Sequence, residues 1–112
     1  MAYTNRLLYE PLRSIDSATF TGDYQAIGEP LANPCTLIKL INASNQLVTI
    51  SVDGVTNHDV APANSFWLYD ITTNTPREEG SGIFVSQGTQ YYVSGSAGTG
   101  LVYLVVQYVM RV

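Results

Sequence analysis

Residues 101–112 read LVYLVVQYVMRV, and the reading of this run decides the fold. It is about half as long as the ~20 apolar residues that a membrane-crossing helix needs. As a strand of a membrane barrel it would need many sisters with one lipid-facing apolar side, and strands such as LVTISV (47–52) do not make one. Read with period two, Val102, Leu104, Val106, Tyr108 and Met110 share one face, and Leu101, Tyr103, Val105 and Val109 share the other. Apolar residues on both faces predict a strand buried on both sides. In a sandwich only one face looks into the core. The other must be covered by an arm, a loop or another subunit, because a large bare apolar patch is rare on a monomer. The run therefore predicts a subunit interface.

The rest of the chain supports a sheet protein. Helical periodicity is nearly absent, and short blocks rich in Val, Ile, Tyr and Thr are separated by Gly, Asn, Pro and Asp. TLIKLINA (36–43) puts Leu37, Lys39 and Ile41 on one face and Ile38 and Leu40 on the other. LVTISV predicts Val48, Ile50 and Val52 inward, with Thr49 and Ser51 outward. Asp53-Gly54 predicts a tight type I′ hairpin returning through VTNHDV (55–60), closed by Pro62. SFWLYDI (65–71), IFVS (83–86) and TQYYVSG (89–95) are further strands, with TTNTPREEGSG (72–82) as a polar loop. ATFTGDYQAIG (18–28) reads as a strand broken at Gly22. About eight short strands with regular turn signals predict an all-β, two-sheet antiparallel β-sandwich, jelly-roll-like, with an up-and-down barrel or an immunoglobulin-like sandwich as the alternatives. Residues 1–17 are expected as an extended N-terminal arm, interrupted by Pro11, beside a single sandwich domain at 18–112; the arm either packs on its own domain as a first strand or reaches a neighbour.

Bulk properties narrow the function classes. The chain of 112 residues is one domain by length. With 46% apolar and 12% charged residues it is globular and poor in polar surface, the profile of an assembling protein. Its net charge is −4, and the five basic residues are scattered, so no stripe exists to bind nucleic acid. Cys35 is the one cysteine and His58 the one histidine, which predicts no disulfide, no metal and no cofactor. The start, MAYTNRLLYEPLRS, lacks the apolar core of a signal peptide, so synthesis in a reducing cytoplasm is expected.

Catalytic motifs fail when tested. GSAGTG (95–100) lacks the lysine and following helix of a phosphate loop, and reads as a glycine-rich hairpin. His58 and Asp59, adjacent on a strand, should point to opposite faces, which weakens a metal or acid–base pair. Glu78 and Glu79 beside Arg77 read as a solvated loop tip. Asn42-Ala43-Ser44 matches a glycosylation acceptor. No catalytic residue is assigned, and an enzyme is not expected. The aromatics allow a carbohydrate platform, with Trp67 and Tyr69 on one strand face and Tyr91 and Tyr92 on opposite faces of theirs.

The blocks LIKLINASNQLVTISVDGVTNHDVAPANSFWLYDITTN (37–74) and FVSQGTQYYVSGSAGTGLVYLVVQY (84–108) resemble small virion structural proteins of tailed bacteriophages. The resemblance rests on the turn and strand pattern, on the GTQYYVSG and AGTGLVYL segments, and on an arm ahead of them. It implies a β-rich protein made in the host cytoplasm that ends on the particle, on the outer surface of the capsid. The expected role is a capsid decoration (cement) protein that binds the major capsid protein as a homo-oligomer, trimer rather than dimer, away from membrane and nucleic acid. A head–tail connector or neck piece, a tail-fibre component, or a host-surface carbohydrate-binding module is the alternative. Tyr103, Val105 and Tyr108 are the residues expected for self-association, and Leu7, Leu8, Tyr9 and Leu12 of the arm for the capsid. On that reading, deleting residues 1–16 should leave a folded domain that no longer attaches to particles.

Overall fold

A computed structural model describes residues 5–70 and 85–111, with side chains across 7–70 and 85–108. Nine strands are described: β1 (Asn5–Tyr9), β2 (Arg13–Asp16), β3 (Gln25–Ala26), β4 (Leu37–Asn42), β5 (Val48–Ser51), β6 (Asp59–Ala61), β7 (Ser65–Asp70), β8 (Tyr92–Ser94) and β9 (Leu101–Arg111). One 3-10 turn, Ser17–Thr19, follows β2, and no α-helix occurs among the described residues. The strands form two sheets, ordered β1–β9–β4–β7 with β2 also on β9, and β3–β8–β5–β6.

The pairing is nested. β1 and β2 both run antiparallel to β9 and are two halves of one interrupted strand. Inside that pair lies β3 with β8, then β4 with β7, then β5 with β6, all antiparallel. A ribbon hairpin of eight strands, rolled so that its pairs fall in two sheets, is a jelly roll. The all-β sandwich expected from the strand pattern is the observed fold.

Alternation makes the core. Ile38, Leu40 and Asn42 of β4 and Val102, Leu104 and Val106 of β9 are buried, while Leu37, Lys39 and Ile41 are only half-buried. Facing them are Val48, Ile50 and Val93 of the second sheet, with Phe20, Ile27, Leu31, Cys35, Ala61 and Tyr91 from strand ends and loops. Each fully buried Val, Leu or Ile contributes roughly 1.5–3 kcal/mol of transfer free energy, and the steric fit between layers makes the packing unique. Asn42 is buried among them. Its side-chain amide donates to the carbonyls of Gln46, Ala61 and Pro62, tying the 43–47 turn to the end of β6. A residue so enclosed is no glycan acceptor in the folded chain. The glycine-rich loop is structural too: Gly100, at φ 106°, packs so closely on the Ala43 carbonyl that a Cβ would collide with it.

Several local expectations are corrected. Asp53-Gly54 does not form a two-residue turn, because Gly54 has positive φ and Asp53 does not. The Asp53 carboxylate instead accepts from the Val55 and Thr56 amides and from the Ser51 hydroxyl, and β5 pairs with β6 across a wider loop. Val52 is consequently exposed and Ser51 buried, the reverse of strict alternation. Residues 18–28 are mostly turns around the short β3, since Gly22 and Gly28 both adopt positive φ. The polar loop with Arg77, Glu78 and Glu79, and most of the IFVS strand, lie outside the described residues; Val85 forms a bridge with Cys35.

Residues 5–16, expected as an arm beside the domain, occupy the edge of the five-stranded sheet in register with β9. Tyr9 lies opposite Gln107, Arg13 opposite Leu104 and Ile15 opposite Val102. The strand breaks at residues 10–12, where the chain kinks inward and buries Glu10 and Arg13. Arg13 Nη2 lies 2.8 Å from Glu10 Oε1, and the guanidinium also donates to the carbonyls of Glu29 and Pro30 at 2.8 and 3.1 Å. Glu10 accepts further from the Ala32 amide and the Asn33 side chain. Gly28, at φ 70°, has no Cβ because the Arg13 side chain lies where one would be.

This cluster sets an acid response. Burial alone would raise the Glu10 carboxyl, but hydrogen bonds from Asn33, Arg13 and Ala32, with the Arg13 charge, outweigh it and hold the group below its ordinary 4.5. Asp53 is also held well down, by the Thr56 and Val55 amides and the Ser51 hydroxyl. A lowered folded-state value means that the unfolded chain takes up the proton first. Stability is therefore complete above about pH 4.5 and falls as acid carries the pH down through the folded values. Urea midpoints measured from pH 7 to pH 3 should drop below pH 4.5, and Glu10→Gln should flatten part of that slope. An unchanged slope in the variant would remove Glu10 from the account.

Candidate functional site

Among the described residues, no layer lies over the outer face of the five-stranded sheet. Registers place its residues in rows across the strands: Phe66, Ile41, Tyr103 and Ser14; then Leu68, Lys39 and Val105; then Leu37, Gln107 and Tyr9. Leu7, opposite Val109, extends the face along β1. Leu7 is 55% exposed, Tyr9 64%, Phe66 65% and Leu68 49%, which is high for large apolar side chains in a sheet centre and edge. At those exposures, on the order of 500 Å² of apolar surface is left in water by the four alone, the upper end of what a monomer carries. Lys39 is the single cation in the middle of the rows, its stem lying along apolar neighbours.

The face extends past the sandwich body. β4 ends opposite Gln107, where the Thr36 amide donates to the Gln107 carbonyl, while β9 runs on to Arg111 with β1 as its only described partner strand. Two-stranded ribbons are marginal alone in water and gain stability when another surface covers them.

The residues expected for two separate surfaces are redistributed. Tyr103 and Val105 lie on the outer face, but Tyr108 turns to the inner side and packs against the core beside Leu8, its register partner. Leu7 and Tyr9 join Tyr103 and Val105 on the outer face, so arm and C-terminal strand form one surface. Leu12 is elsewhere. It is 61% exposed at the kink and lines a groove of about 480 Å³ with Pro11, Glu29 and Pro30. Phe66, Leu68, Leu37 and Ile41 were missed as members of the face. Their signal was present in SFWLYDI, where Trp67 and Tyr69 on one side leave Phe66 and Leu68 on the other.

Other candidate chemistry is limited. Cys35 is fully buried and donates to the Asn33 carbonyl; burial first, then Glu10, pushes its thiol up to about 12, so it stays protonated and unreactive. His58 and Asp59 do not face apart, because β6 begins only at Asp59 and the preceding loop turns His58 toward the same cleft. Among the described residues no three His, Cys, Asp or Glu side chains gather to hold a metal ion, and no helix is long and apolar enough to cross a membrane. Comparison with protein families, with curated proteins and with solved structures yields no match.

Proposed function

We propose that this chain is a non-enzymatic virion structural protein, a capsid decoration protein that self-associates and stabilises a shell of major capsid protein. The observation that carries the reading is the bare apolar outer face of the five-stranded sheet. A standard interface removes about 800 Å² per partner, and the four most exposed apolar side chains of this face alone leave on the order of 500 Å² in water. A second copy is its occupant: the face already has an apolar centre, a lone lysine to penalise wrong registers, and a polar rim at Ser14 and Asp16. Self-association through the sheet faces leaves the kink groove at Leu12 free to meet the shell. Every shell contact adds to lattice stability by mass action, the physical content of a cement role. Jelly rolls serve as capsid domains among other roles.

Light scattering on a sizing column tests the first half. The full chain is expected as a discrete trimer or dimer, and Phe66→Asp as a monomer, because a carboxylate buried at the interface costs about 2 kcal/mol or more, some thirtyfold in affinity. Phe66 is mostly exposed, so the variant should keep its strand circular dichroism. A wild-type monomer at micromolar concentration would overturn self-association. Cosedimentation with phage heads tests the second half: hundreds of copies per head are expected for a decoration role, and about a dozen or fewer would point to the neck.

A further inference from the structure

The two sheets part at the β6–β7 edge. Trp67 and Tyr69 lie on the inner side of β7, opposite the buried Leu40 and Ile38, yet Trp67 is only half-buried and Tyr69 is 42% exposed. β6, three residues long, is too short to cover them. The opening is a cleft of about 230 Å³, walled by Trp67 and Tyr69 from one sheet and by His58, Asp59 and Tyr91 from the other side. The Trp67 and Tyr69 rings stack, with centroids 5.9 Å apart and planes 15° off parallel.

A tyrosine hydroxyl also opens on the cleft. Tyr91 as a whole is 95% buried, but its hydroxyl is not sealed in the core, since Thr36 Oγ1 is the only enclosed side-chain polar atom without a partner among the described residues. A hydroxyl that lines the cleft and is open to it can donate to a ligand there. Burial first, then Tyr69 and Cys35, pushes this hydroxyl up to about 12, so it keeps its proton. The cleft's other polar groups are set by the backbone. His58 Nδ1 accepts from the Val52 amide at 3.1 Å, which makes Nε2 the protonated nitrogen and a donor. Asp59 Oδ1 accepts from its neighbour Val60, which leaves Oδ2 as an acceptor with no described partner.

We propose that this cleft binds one ring of a neutral saccharide, stacked on the Trp67–Tyr69 pair and hydrogen-bonded by Tyr91, His58 and Asp59. A pyranose presents a flat C–H face to aromatic rings, and its rim hydroxyls both donate and accept, matching the mixed set here. A wholly apolar ligand would strand those polar groups, at a cost per group that apolar contact does not recover. An anionic ligand is disfavoured by Asp59 and by the net charge of −4. The cleft is below the usual 300–1,000 Å³ of drug-sized sites, which suits a single ring. The inference stands independently of self-association, because Trp67 and Tyr69 face away from the proposed interface.

Trp67 is the only tryptophan, so its emission reports this cleft directly. The full chain is titrated with glucose, galactose, mannose and N-acetylglucosamine, then with short oligomers of each, and with oligoproline as a peptide probe. A saturable change with at least one saccharide at millimolar concentration is expected. Tyr91→Phe, which removes only the hydroxyl, should weaken it about three- to tenfold, and Asp59→Asn should act in the same direction, with melting temperatures kept. Three results would overturn the proposal: no saturable change with any saccharide into the tens of millimolar, unaltered binding by Tyr91→Phe, or a tighter response to oligoproline.

Discussion

Deleting residues 1–16 abolishes cooperative folding, in the expected result, rather than releasing an arm from an intact domain. The segment supplies the first strand of the rolled ribbon, with five register pairs between β1 and β9 and four between β2 and β9. Without it the edge of β9, the longest strand, loses its ladder partner, and the inward face of Ile15 and the kink is stripped from the core. Glu10 and Arg13 leave together, so no unpaired charge remains, but the Glu29 and Pro30 carbonyls lose their donor. Small domains are stable by only about 5–15 kcal/mol, and the loss of a whole strand with its packing is of that size. Near-UV circular dichroism and a thermal melt decide the matter. A cooperative transition within a few degrees of the full chain would show that the segment is separable, as the extended arm expected from sequence would be.

The second large effect is at Arg13. Arg13→Ala is expected to cost roughly 3–5 kcal/mol, because it leaves the Glu10 carboxylate buried without its charge partner. That is a large fraction of the whole stability. Glu10→Gln added to Arg13→Ala should recover part of the loss, since a neutral amide oxygen can still accept from the Ala32 amide and carries no unpaired charge. Urea denaturation with unchanged slope and shifted midpoint gives both values. A single-variant cost below about 1 kcal/mol would mean that the cluster opens to water and solvates the carboxylate.

Legibility followed the range of the interaction. β4 and β9 could be read directly, because period-two alternation is a property of neighbouring residues: Ile38 and Leu40 are buried and Lys39 is not, whatever lies across from them. The Asp53-Gly54 turn was misread for a related reason. The dipeptide permits a tight turn, but Ser51 and the amides at 55 and 56 compete for the Asp53 carboxylate and win. Tyr108 was assigned to the outside although alternation places it with Val106, and the structure follows the alternation.

By itself the sequence determined an all-β sandwich and the inward faces of its longest strands. Those depend on local periodicity and composition. Only the tertiary structure decided that residues 5–16 belong to the sheet, that Leu7 and Tyr9 share a surface with Val105 and Phe66, and that Glu10 meets Arg13, Ala32 and Asn33. It alone set Tyr91 against Trp67 and Tyr69 at the open edge. These contacts join strands far apart in the chain. Their partners are chosen by how the ribbon rolls, and no local pattern encodes the roll.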